Sequence, residues 1–157
     1  MQSTIIPFIF YRLCNFVNTV ESTGGGDWEE CYELVLQEVR TKLSWTAGTQ
    51  RSLVMIGDAP PHPPGHGGNT KRIDWKVETK KLFEPVGVHI YAVGCSSNSR
   101  AETFFKDLAK MTKGTYLQLK QFSNIFDLLM AICYREHGAE FFHVSRALFL
   151  CQVPLQD

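Results

Sequence analysis

Arg51-Ser52-Leu53-Val54-Met55-Ile56-Gly57-Asp58-Ala59-Pro60-Pro61-His62 opens with an apolar run of strand length and passes at once to a carboxylate and two prolines. Residues 51–57 show no polar alternation, which predicts a strand covered on both faces, as in a parallel sheet. Asp58 then stands at the carboxyl end of that strand, where open parallel sheets bind their ligands. From Ala59 to Thr70 the chain carries four prolines, three glycines and two histidines, so this segment is a loop.

Toward the C-terminus, Ile73 to Phe83 reads as a helix. Val86 to Gly94 holds a second buried-type run, Val88-His89-Ile90-Tyr91-Ala92-Val93. Ser99 and Glu102 form a capping box ahead of Phe104, Phe105, Leu108 and Met111. Thr115 to Leu119 is a short third strand, and Phe122, Ile125, Phe126, Leu129 and Cys133 mark a final amphipathic helix. Strand and helix alternate throughout, which predicts an α/β fold: a parallel sheet with right-handed crossovers.

Toward the N-terminus, Asp27 and Glu30 read as the acidic form of a capping box at a helix start. Trp28, Cys31, Tyr32, Val35, Val39 and Leu43 would line the apolar stripe of that helix, with Glu29, Glu33, Gln37 and Arg40 off it. Thr23 and the glycines 24–26 separate it from a helix-like stretch at Leu13 to Val20. Ile5 to Phe10 contains Pro7 and reads as an edge strand or hydrophobic leader. The division expected is one partial domain over 1–138 and a tail over 139–157.

Composition narrows the function. Hydrophobic residues make up 44% and charged residues 20%, which suits a folded domain. Sixteen basic residues balance sixteen acidic ones, leaving no field to attract nucleic acid or an anionic membrane. Cys14, Cys31, Cys95, Cys133 and Cys151 are odd in number and widely spaced, as free thiols are. No segment approaches the roughly 18 apolar residues of a membrane span. A cytoplasmic chain is expected.

Asp27 and Asp58, presented from loops with hydroxyls and water nearby, suit a hard cation such as Mg²⁺ or Mn²⁺. His62 and His66 are four apart, but Pro61, Pro63 and Pro64 exclude the helix that would make this a zinc pair by periodicity. No Gly-x-Ser-x-Gly elbow and no Gly-Lys-Ser/Thr phosphate loop occurs, so neither a serine hydrolase nor a nucleotide site is supported.

Taken together, Thr23-Gly24-Gly25-Gly26-Asp27-Trp28-Glu29-Glu30 and Leu53-Val54-Met55-Ile56-Gly57-Asp58-Ala59-Pro60-Pro61-His62 resemble the later part of a von Willebrand factor A domain. The variant is the Gly-Gly-Gly-Asp and Asp-Ala-Pro-x-His one also found attached to atypical alpha-kinases. The resemblance runs from about Phe16 to about Arg135. It implies a Rossmann-like, three-layer domain with a metal-ion-dependent adhesion site, where the cation completes its coordination with an acidic group of a protein partner. On that pattern Asp58 and Asp27 are the metal residues, with His62 and Thr23 at the partner-facing rim.

The Asp-x-Ser-x-Ser motif that ends the first strand of such domains does not occur in this sequence. The expectation is therefore an N-terminally truncated domain with an incomplete site, whose strand at Arg51 to Gly57 has a bare edge open to association with another chain. The leading function expected is a binding module without turnover. The alternatives are a metal-dependent hydrolase using Asp58, His62 and His66, and a shortened product with no function of its own.

Overall fold

The computed structural model describes residues 15, 19, 21, 25–119, 132 and 135. The chain divides into two compact units, Asp27–Gly138 and Met1–Gly26 with Ala139–Asp157. The elements and contacts of the fold belong to the first unit. The strand expected at Ile5 to Phe10, the rim position of Thr23 and the tail 139–157 lie outside the described residues, as does most of the helix expected at Phe122 to Cys133.

Among the described residues three helices and three strands alternate: α1 (Tyr32–Lys42), β1 (Arg51–Gly57), α2 (Trp75–Phe83), β2 (Val88–Gly94), α3 (Ser99–Met111) and β3 (Tyr116–Gln118). The strands form one parallel sheet in the order β1-β2-β3. Arg51 pairs with Val88 and Gly57 with Gly94, while Ala92 pairs with Tyr116. This is a small α/β fold compatible with a Rossmann-like architecture. Stepping twice in the same direction with right-handed crossovers places α2 and α3 on one face. There Val88, Ile90 and Ala92 of β2 pack with Leu36, Leu82, Phe104, Phe105, Leu108 and Ala109 of the helices and with Met55 of β1.

The two long strands differ in cover. Six of the seven residues of β2 are buried, as the apolar run predicts for a central strand. In β1 only Met55 is buried and Ile56 is 43% exposed, so the expectation of cover on both faces is corrected. The reason is position: β1 is the edge of the sheet among the described residues, with β2 on one side only.

Two of the helices start on local side-chain caps. The cap of α2 is Asp74, whose side chain accepts from the Lys76 N–H. For α3 the cap is Asn98, accepting from Arg100 and Ala101, and Ser99 is already helical. The expected start at Asp27 is corrected as well. Residues 26–28 are bent, and the Glu30 N–H goes to the Pro60 carbonyl at 3.0 Å in an isolated bridge to the Pro60–Pro61 segment. The helix begins only at Tyr32, whose N–H donates to the Glu30 carbonyl at 2.8 Å in a tight turn. Of the expected stripe Tyr32 and Val39 pack against the core, whereas Trp28, Cys31, Val35 and Leu43 are exposed, and Glu33 and Leu36 are the fully buried positions of the helix.

One ion-pair network ties α1 to α2. Arg40 Nε meets Glu78 Oε2 at 2.6 Å and Lys81 Nζ meets Glu78 Oε1 at 3.1 Å, with the Glu78 side chain 5% exposed. Burial by itself would raise the Glu78 carboxyl, but hydrogen bonds from Arg40 and Lys81 outweigh it and hold it below its ordinary value of 4.5. A carboxyl lowered in the folded state stabilises above its unfolded value and loses that contribution as pH falls through the lowered one. Glu78→Gln should therefore flatten the decline of stability below pH 4.5, measured by urea unfolding across an acid series. An acid profile unchanged from the parent would refute this role.

Candidate functional site

The loop after β1 is built to hold its histidines. His66 N–H donates to the Pro63 carbonyl at 2.9 Å, Asn69 N–H to the His66 carbonyl at 3.0 Å, and Arg72 N–H to the Asn69 carbonyl at 2.9 Å. Asn69 is buried and locks this series of turns. Its Nδ2 donates to the carbonyls of His62 at 3.2 Å and Ile73 at 2.8 Å, and its Oδ1 accepts from the Ile73 N–H at 2.8 Å. The turns bring the His66 ring onto the His62 ring, with centroids 4.7 Å apart and planes 29° from parallel. Gly68 makes the close approach feasible, since a Cβ there would lie 2.9 Å from His62 Nε2.

His62 is 3% exposed and stands between two carboxylates. Nε2 lies 3.3 Å from Asp27 Oδ1, and Nδ1 lies 3.3 Å from Glu33 Oε1 without hydrogen-bond alignment. The backbone N–H of His62 donates to Glu33 Oε2 at 3.2 Å. Glu33 is 1% exposed, and a carboxylate this deep needs such donors. The other Asp27 oxygen, Oδ2, is 3.7 Å from His66 Nε2. Asp27, His62 and His66 each offer one ligand atom within 4.8 Å of the others, and so do Cys31, Glu33 and His62.

Asp58 occupies a different place. It is exposed at the end of β1, where the Cys95 N–H donates to the Gly57 carbonyl at 2.7 Å across the sheet. The Tyr32 hydroxyl approaches the backbone of Asp58 and Ala59. Burial, followed by the charge of Asp58, pushes it up to about 12. Cys95 is raised by burial and then by Asp58. Cys31 is raised by partial burial and then by Glu33, Glu30 and Asp27. Both thiols are thus disfavoured as thiolates, which argues against either as a nucleophile.

The residues picked out from the sequence therefore separate. Asp27 joins His62 and His66, and Asp58 belongs to neither of the two ligand groups among the described residues. His62 faces inward, whereas His66 is half-buried and Asp27 is exposed. Glu33 lies off the apolar stripe expected from the sequence, and nothing local in the sequence marks it. The signal is three-dimensional, since Glu33 turns inward where the His62 backbone N–H donates to it.

Among the described residues no helix is long and apolar enough to cross a membrane. Models of known families, curated proteins and solved structures were compared with this chain, and none matched it.

Proposed function

We propose that this chain is a protein-binding module of the von Willebrand A kind that takes an acidic group of a partner at the carboxyl edge of its sheet. Mg²⁺ or Mn²⁺ would bridge that group to Asp58, and no turnover is involved. The observation that supports the reading is the exposed Asp58 carboxylate at the end of β1, beside the end of β2 and outside both His-containing ligand groups among the described residues. Hard cations take oxygen ligands, and the loops and water at this edge can supply the remainder. Asp27 has both oxygens turned toward His62 and His66, so it contributes charge to the edge rather than a direct ligand.

The test is thermal unfolding of the whole chain with and without millimolar MnCl₂ or MgCl₂, for the parent and for Asp58→Ala. Binding to the folded state alone stabilises by about 2.7 kcal/mol when the ion is at 100 times its dissociation constant. The expected result is a raised midpoint in the parent and none in Asp58→Ala. Equal responses from the two proteins would sink the reading.

A further inference from the structure

We propose a second metal site, in which Asp27, His62 and His66 bind a zinc-class ion and buried Glu33 positions His62. It stands apart from Asp58 and from the hard-cation reading above. Two imidazoles and one carboxylate make a ligand set for borderline transition metals, whereas Mg²⁺ and Ca²⁺ take oxygen.

The spacing is close to that of a site. In a tetrahedral zinc site with bonds of about 2.0–2.1 Å, neighbouring ligand atoms lie about 3.4 Å apart. His62 Nε2 and Asp27 Oδ1 are 3.3 Å apart, and His66 Nε2 lies 3.7 Å from the other Asp27 oxygen. With one ligand atom taken from each residue the three lie within 4.8 Å of one another, so binding draws them together from there. Asp27 and His66 are partly exposed, so the fourth position opens to solvent.

A second, independent observation comes from the far side of the His62 ring. A histidine that binds metal through one nitrogen characteristically donates its other N–H to a carboxylate, which fixes the tautomer and aims the lone pair. His62 Nδ1 is buried and has no hydrogen-bond partner, yet Glu33 Oε1 waits 3.3 Å away. A small rotation of the ring completes that bond and places the Nε2 lone pair toward Asp27 and His66. Glu33 is itself held by the His62 backbone N–H, so it is a fixed support and not a mobile ligand. At His66, Nδ1 accepts from the Gly68 N–H at 3.1 Å. Ligation through Nε2 moves the ring proton to Nδ1 and hands the exposed Gly68 N–H to water.

The experiment is calorimetric titration of ZnCl₂ into the chelator-treated whole chain, with Co²⁺ as the optical probe. We expect one ion per chain and a visible Co²⁺ spectrum of tetrahedral type without a sulfur charge-transfer band. Loss of a direct ligand in His66→Ala should weaken binding by roughly 100-fold or more. Loss of the support in Glu33→Gln should weaken it by about 10–100-fold. Cys31→Ser and Asp58→Ala should bind as the parent does. Because Glu33→Gln removes a buried charge and can fail to fold, the surface variant His66→Ala decides the matter if it does. No ZnCl₂ binding, undiminished binding by His66→Ala, or loss of binding in Cys31→Ser would each overturn the site. Asp58→Ala separates the two readings: it should abolish the Mn²⁺ response and leave zinc binding intact.

Discussion

Phe105→Ala is expected to lower the thermal midpoint by roughly 10 °C or more, corresponding to about 3–5 kcal/mol for an aromatic side chain removed from a packed interior. Phe105 is fully buried, with its ring edge-on to Tyr32 at 5.6 Å and to Phe104 at 5.0 Å. It thereby joins α3 to α1. The same ring closes against the end of β1, since a Cβ on Gly57 would lie 3.0 Å from Phe105 Cζ and 1.8 Å from the Tyr32 hydroxyl. The aromatic cluster thus backs the strand end that presents Asp58. Differential scanning calorimetry measures the effect, and a midpoint within about 2 °C of the parent would mean that α3 is not docked through this ring.

A comparable loss should follow from adding one methyl group at Gly114. A Cβ there would meet the Ile90 carbonyl oxygen at 1.9 Å and its carbon at 2.6 Å. These are backbone atoms of the central strand and cannot swing aside as a side chain would. Around this point the turn after α3 is tied to β2. The Ile90 N–H donates to Thr112 Oγ1 at 3.0 Å, and the Ala92 N–H donates to the Thr115 carbonyl at 3.0 Å. Relieving the clash would pull these bonds apart together, so Gly114→Ala should cost about 3 kcal/mol or more, at or beyond the upper end for overpacking. Urea unfolding should show a lower midpoint with the slope unchanged. A change under about 0.5 kcal/mol would show that the turn does not approach β2 this closely.

For the sheet, local sequence carried nearly all of the information. The run Arg51 to Gly57 became β1 with the same ends, and the run beginning at Val88 became β2. Apolar stretches bounded by Gly, Pro and Asp have few other ways to bury themselves. How much cover each strand receives was not legible in those runs. Leu53-Val54-Met55-Ile56 and Ile90-Tyr91-Ala92-Val93 look alike as text, yet among the described residues one is an edge and the other the centre. Strand order is a non-local property, and a strand's composition does not reveal how many neighbours it has.

The candidate site divides along the same line. That Asp58 ends a parallel strand, and that the Pro/Gly segment after it is a loop, was determined by the sequence alone, because strand ends and turn residues announce themselves locally. That His62 and His66 meet without a helix was decided only in three dimensions, by turns and by Asn69 bridging His62 to Ile73. The inward turn of Glu33 was decided the same way. The Glu30 N–H pairs with the Pro60 carbonyl, α1 begins at Tyr32, and the buried Glu33 accepts from the His62 backbone N–H. A backbone hydrogen bond between segments 30 residues apart cannot be read from either segment, and here that bond lies where the stretch carrying Asp27 and Glu33 meets the stretch carrying His62.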